Sequence, residues 1–309
     1  MNLKMYYTRK IGIKGKIILL LTIGKIIENR RPAMENELAF HYCTIETFFN
    51  ICKNNTLRLS DIEKSNDYSE RVYMEELIKK ELIEYAEGRN KNIGLRKLIE
   101  EWCYILNNLS NVYACCFSEA GDMLSQWRAY ADNGYGVSIG FSKDILLQFN
   151  SEEYGLKFRK ISYNIIEHQE FAKRQVKKII DTLKEKNFYS SVAEVFENDV
   201  DINCFMKMPA FEEEREWRLL IALNPELRIN QIGTFLDFQL SNTQLNTRNG
   251  KIVTYFDLNF SEVRHEFIKK IIIGPNCKMN AKDIYQSLRI MGFNTQNIDV
   301  LQSDATYIF

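Results

Sequence analysis

Six consecutive apolar side chains, Val112-Tyr113-Ala114-Cys115-Cys116-Phe117, leave the chain few places to put them. A run without polar alternation, closed by Ser118-Glu119, fits a central strand buried in a sheet. Around it the period of two expected of strands recurs at Leu38–Tyr42, Thr56–Ser60, Tyr135–Phe141, Leu156–Tyr163 and Glu214–Leu223. Further strands are expected over 232–240, 251–258, Ile268–Gly274 and 298–302. Helical periods fill the gaps. Thr44 caps a helix with Ile45, Phe48, Phe49 and Cys52 on one face, and others are expected over 69–87, 94–109 and a lysine-rich stretch, 164–205. Gly121-Asp122 opens a short helix through Ser125, Gln126, Trp127 and Tyr130 that Asn133-Gly134 stops. Ser142 caps another helix, and Asn280 caps one ending at Gly292. Asp61 to Glu70, with Ser65, Asn66 and Asp67, reads as a polar loop.

This order of elements predicts an α+β fold: a single domain over residues 34–309, its central mixed or antiparallel sheet flanked by helices, with a helical insertion near 164–205. Residues 1–33 stand apart. The apolar run Ile17–Ile23 is too short to span a bilayer, and no small-x-small cleavage pattern follows. They read as a poorly ordered arm or a mis-set start ahead of Met34.

Charge and cysteine usage narrow the function classes. Lysine plus arginine equals aspartate plus glutamate at 41 each, so nothing in the balance calls for duplex nucleic acid. The seven cysteines (43, 52, 103, 115, 116, 204 and 277) show no CxxC and no Cys/His ligand spacing. They read as reduced thiols in a cytoplasmic protein rather than a disulfide or zinc framework. With three histidines, 41, 168 and 265, no histidine metal site is expected, and no metal is predicted. Walker, dinucleotide-binding, nucleophile-elbow and zincin motifs are absent from the sequence.

Three clusters place polar groups where packing does not require them. The first is His41-Tyr42 at the end of the first strand. The second joins Phe117-Ser118-Glu119 to Gln126, Trp127, Arg128 and Tyr130, a strand end running into an aromatic helix. Packing against the sheet accounts equally well for Trp127. The third is Glu212 to Arg218: on a strand, Trp217, Leu219 and Ile221 share one face while Glu214, Glu216 and Arg218 share the other. That polar face is either a solvated row of weak ion pairs or a carboxylate held in a cleft by Arg218.

Several blocks of this text resemble the bacterial family known as domain of unknown function 2971. They are Phe40-His41-Tyr42-Cys43-Thr44, Leu57 to Asp61, Asn66 to Glu70, Cys116 to Glu119, Leu124 to Asn133, Gly136 to Phe141, Glu214 to Leu219 and Ile271 to Pro275. More distantly, a strand ending in His41-Tyr42 and the turn Asn54-x-x-Leu57-x-Leu59-Ser60 are similar to the first block of ADP-ribosyltransferases. His41, Phe117-Ser118 and Glu216 fall in the order of that family's three motifs, although Tyr42 stands where glycine is usual.

The resemblance implies NAD as co-substrate. Glu216 would stabilise an oxocarbenium-like transition state beside Glu214, and His41 would bind a ribose hydroxyl. Tyr42 or Tyr130 would stack on nicotinamide, Ser118 would fix the ring, and Arg128 or Arg218 would meet the pyrophosphate. A toxin or defence effector role would follow. Two alternatives stay open: a non-catalytic module binding a nucleotide or a partner protein, and a magnesium-dependent nuclease or phosphodiesterase using Asp61, Asp67 and Glu216.

Overall fold

The computed structural model describes residues 37–62, 69–87, 111–151, 155–183, 204–223, 234–235, 238–241, 243–248 and 250–306. The expected arm 1–33, the helix over 94–109, Ser65 to Asp67 and the insertion beyond Leu183 up to residue 203 lie outside the described residues.

In chain order the elements are β1 (Leu38–Cys43), α1 (Ile45–Asn54), β2 (Thr56–Asp61), α2 (Ser69–Glu87), β3 (Asn111–Ser118) and α3 (Leu124–Tyr130). Then come β4 (Val137–Ser142), α4 (Lys143–Gln148), β5 (Leu156–Lys160), α5 (Ile165–Leu183), β6 (Glu216–Leu223), β7 (Thr234–Phe235) and β8 (Phe238–Leu240). The chain continues through β9 (Gln244–Arg248), β10 (Lys251–Asn259), α6 (Arg264–Phe267), β11 (Ile268–Ile273), α7 (Ala281–Ile290) and β12 (Asp299–Gln302). All the strands join one sheet in the order β12-β11-β4-β1-β3-β2-β10-β8-β7, with β6 on β3, β5 on β6 and β9 on β10. The fold is α+β, and the sheet is mixed but mostly antiparallel: among the described strand pairs only β11 and β12 run parallel.

The apolar run is the hub of the sheet. β6 pairs with β3 along its whole length, while β1 and β2 share its other edge. Phe40, Ser118 and Glu216 sit opposite one another across β1, β3 and β6, so their side chains leave the same face. The other face carries Ala39, Cys43, Leu57, Leu59, Tyr113, Cys115, Phe117, Leu219 and Ile221. It is covered by Phe48 and Ile51 of α1, Ile145 and Leu146 of α4, Phe267 of α6, and Ile284 and Leu288 of α7. Each such side chain contributes about 1.5–3 kcal/mol on full burial. Thr44 caps α1 through its hydroxyl, and α7 opens with a reciprocal Asn280–Asp283 capping box.

Several boundaries differ from the sequence reading. Cys116 is exposed, so the run is not buried throughout. Gly121 to Met123 are not helical, and α3 starts at Leu124. β5 stops at Lys160, and Cys204-Phe205 is a turn rather than the end of a long helix. The expected strand over 232–240 is two short ones, and β9 and α6 were not anticipated. Gly136 and Gly274 allow two loops to lock together. A methyl group at Gly136 would overlap the Cys43 carbonyl, and Gly274 donates its N–H to Gly136 at 3.0 Å.

Candidate ligand-binding site

The residue that organises the site's backbone is Arg215. A 3-10 turn, Pro209–Glu214, ends with Arg215 in the left-handed region (φ 46°), so Glu214 lies outside the strand and β6 begins at Glu216. The sequence reading placed Glu214 on β6; the kink after the turn corrects it. Across the kink both carboxylates still meet one ammonium. Lys207 Nζ donates to Glu214 Oε2 at 2.5 Å and to Glu216 Oε2 at 3.4 Å, 4.7 Å from the centre of the Phe211 ring.

Arg218 completes the network. Its Nε donates to Glu216 Oε1 at 2.6 Å and its Nη2 to Glu216 Oε2 at 2.9 Å, while Nη1 donates to the Cys204 carbonyl at 2.9 Å. Lys207, Glu216 and Arg218 are 2%, 5% and 3% exposed, which rules out the solvated-row reading. Two cations and two carboxylates, of zero net charge, meet here, three of them buried and Glu214 part-exposed. Desolvating each ion costs several kcal/mol, so the pairing has to be this complete for the fold to tolerate it.

The two carboxyls are pushed in opposite directions. Burial raises Glu216, but the charge and hydrogen bonds of Arg218, then Lys207 and the Cys116 thiol, outweigh it and hold the group below the usual carboxylate value. Burial raises Glu214, and with the nearby Glu216 charge it outweighs Lys207 and the hydrogen bond from Tyr130. The Tyr130 hydroxyl donates to Glu214 Oε1 at 3.2 Å, and burial followed by the Glu214 charge pushes its pKa well up. Behind the network the Glu216 amide donates to the Tyr163 hydroxyl at 3.0 Å.

The other expected site residues divide by strand parity. His41 lies on the opposite face of the sheet from Ser118 and Glu216. Its Nδ1 donates to the Cys116 carbonyl at 2.9 Å, and its ring lies 5.8 Å from that of Phe117. Burial lowers its pKa, partly offset by that hydrogen bond. Grouping His41 with Glu216 is therefore corrected: successive residues of a strand point to opposite faces, and the pairing of Phe40 with Ser118 sends His41 away.

Ser118 is buried and spends its hydroxyl on backbone, donating to the Glu214 carbonyl and accepting from the Ala120 amide. Tyr42 and Trp127 pack edge to face at 4.9 Å and are both buried, so neither ring is open for stacking. Trp127 Nε1 donates to Asp122 at 2.6 Å, and Tyr42 donates to the Ala120 carbonyl and accepts from the Met123 amide. Arg128 lies on the exposed side of α3, and Tyr130 is 47% exposed.

The magnesium grouping also separates. Asp61, opposite Tyr113, is on the face away from Glu216, and Asp67 lies outside the described residues. Among the described residues no His/Cys/Asp/Glu group is arranged to hold a metal, and no helix is long and apolar enough to cross a membrane. Sequence reasoning missed Lys207, Cys116 and Tyr163. Lys207 had a signal: it is the one charge in Cys204-Phe205-Met206-Lys207-Met208, a position that calls for a buried partner.

Fold and site together define an α+β protein whose mostly antiparallel sheet carries a closed ion-pair network at the start of β6. Residues 126–219 match the family described as Protein of unknown function (DUF2971). That span runs from α3 into β6 and contains Tyr130, Lys207, Glu214, Glu216 and Arg218. No curated protein and no solved structure matches the chain.

Proposed function

We propose that the chain is a non-catalytic binding module that takes a small polar ligand at the rim formed by Glu214, Tyr130 and Cys116. The observation that supports this is the bidentate grip of Arg218 on Glu216, with Lys207 as a third donor. A carboxylate whose two oxygens are already engaged has little left with which to stabilise a developing oxocarbenium ion. ADP-ribosyl transfer from NAD also asked His41 and Ser118 to meet Glu216, and these two side chains are committed elsewhere. Tyr130 and Cys116, by contrast, reach solvent beside the network. A preorganised polar rim over a fixed charge network suits recognition without turnover.

The test is calorimetric titration of the purified chain with NAD, nucleosides and polyamines, beside a nicotinamide-release assay with cell lysate as acceptor source. Saturable binding of one of these ligands, weakened about tenfold by Tyr130→Phe and without nicotinamide release, is the expected result. Nicotinamide released by the wild type but not by Glu216→Gln would overturn the proposal in favour of the transferase. No saturable binding of any of these ligands would also sink it.

A further inference from the structure

Resting on the binding-module reading, we propose that Glu214, Glu216 and the Phe211 ring form a cage for a primary alkylammonium group, which Lys207 occupies in the resting chain as a built-in competitor.

Lysine is rarely buried, because its ammonium is strongly hydrated. Here the side chain is 3% exposed, and its ammonium lies between two carboxylates and 4.7 Å from an aromatic ring centre. Carboxylates and a π-face are the groups that recognise an alkylammonium ligand. The charges also sort themselves. Arg218 already balances Glu216 through two hydrogen bonds, so the ammonium is the counterion of Glu214. Removing Lys207 would leave a cavity one alkyl chain long with an unbalanced carboxylate at its end.

The cover over this cage is held by polar contacts rather than by apolar packing: Ser118 and Tyr130 donate to Glu214, and Ser125 donates to Glu213. The 3-10 turn Pro209–Glu214, which carries both Phe211 and Glu214, contributes no buried residue to the core. Segments with few buried apolar groups open at low cost. A ligand ammonium entering from the Tyr130 side would take over the hydrogen bond to Glu214 and release Lys207 to water. The exchange replaces one ammonium by another, so the buried charge stays balanced throughout.

Two experiments test this. In Lys207→Ala the deleted atoms correspond to propylammonium. The variant is expected to melt roughly 10 °C below wild type. Propylammonium chloride should restore at least half of that loss, while propanol and sodium chloride at equal concentration should not. Lys207→Met, which fills the space without charge, should show no recovery. Equal recovery with propanol or salt, or none at all, overturns the cage.

The second experiment uses the wild type and needs no variant to fold. Acetylation of Lys207 by a water-soluble active ester, read by peptide mass spectrometry as a ratio to surface lysines in the same sample so that reagent consumed by added amine cancels, should be low and rise several-fold when spermidine is added. Labelling that spermidine leaves unchanged overturns displacement of Lys207. If both amine experiments fail while NAD or a nucleoside still binds through Tyr130, the cage falls and the binding module stands.

Discussion

Arg218 holds both carboxylate oxygens of Glu216, at 2.6 and 2.9 Å, from a position two residues along the same strand. Both side chains leave the same face of β6, and both are almost wholly buried. The pair is thus fixed by strand geometry and sealed by the segment carrying Lys207.

Breaking this pair from one side strands a buried charge. Arg218→Met is expected to cost about 3–5 kcal/mol in urea unfolding, whereas the double variant Arg218→Met/Glu216→Met should lie within about 2 kcal/mol of wild type. A single variant that loses under about 1 kcal/mol would show that the network does not hold the fold together.

Acid should weaken the fold in the histidine range. Burial lowers His168, with its hydrogen bond to the Ser162 carbonyl and the Glu167 charge opposing, and it lowers His41 as well. A folded pKa below the unfolded one gives stability that is complete above the ordinary imidazole value of 6.5 and declines as pH falls from there through the lowered folded value. His168 Nδ1 accepts from the Tyr73 hydroxyl at 2.8 Å and Nε2 donates to the Ser162 carbonyl at 3.0 Å, so the neutral ring is the one the packing fits. Melting temperatures from pH 8 to pH 5 should fall for the wild type and fall less for His168→Asn. Parallel curves for the two proteins would remove His168 from this account.

Asp122 joins the end of the chain to α3. It accepts from Trp127 Nε1 and the Ser303 hydroxyl, both at 2.6 Å, and from the Asp304 amide at 2.7 Å. Asp122→Ala leaves the fully buried indole N–H without its acceptor and is expected to cost about 2–3 kcal/mol. Hydrogen exchange at Asp304 and Ala305 should accelerate in the variant; unchanged protection there would show that the carboxylate does not hold the tail.

Thiol chemistry should separate two adjacent cysteines. Cys116 is exposed, whereas burial pushes Cys115 up to about 12 and raises Cys43 and Cys52 as well. Under limiting iodoacetamide at neutral pH, peptide mapping should find Cys116 alkylated well before Cys43, Cys52 and Cys115. Earlier labelling of Cys115 would contradict the strand register on which the site rests.

Much of the sheet was legible because its signals are local. The apolar run of β3, the alternation of β4 and the caps of α1 and α7 depend on residues within a few positions of one another. The split of β6 into Trp217, Leu219 and Ile221 on one face and Glu216 and Arg218 on the other was also legible, since alternation alone dictates it. The positive φ at Arg215 was not, and it is what moved Glu214 off the strand. Nor could periodicity reveal β9, which is too polar to register, or that the strand expected over 232–240 is the two short strands β7 and β8.

By itself, then, the sequence determined the α+β class and which residues share a face within each strand, because both follow from backbone geometry over a few residues. Only the tertiary structure decided which faces meet. Pairing Phe40 with Ser118 and Ser118 with Glu216 sent His41 to the far side and brought Lys207 and Tyr130 to the near one. Register between distant strands is set by burying the whole sheet at once, and a buried charge finds its partner through space rather than along the chain.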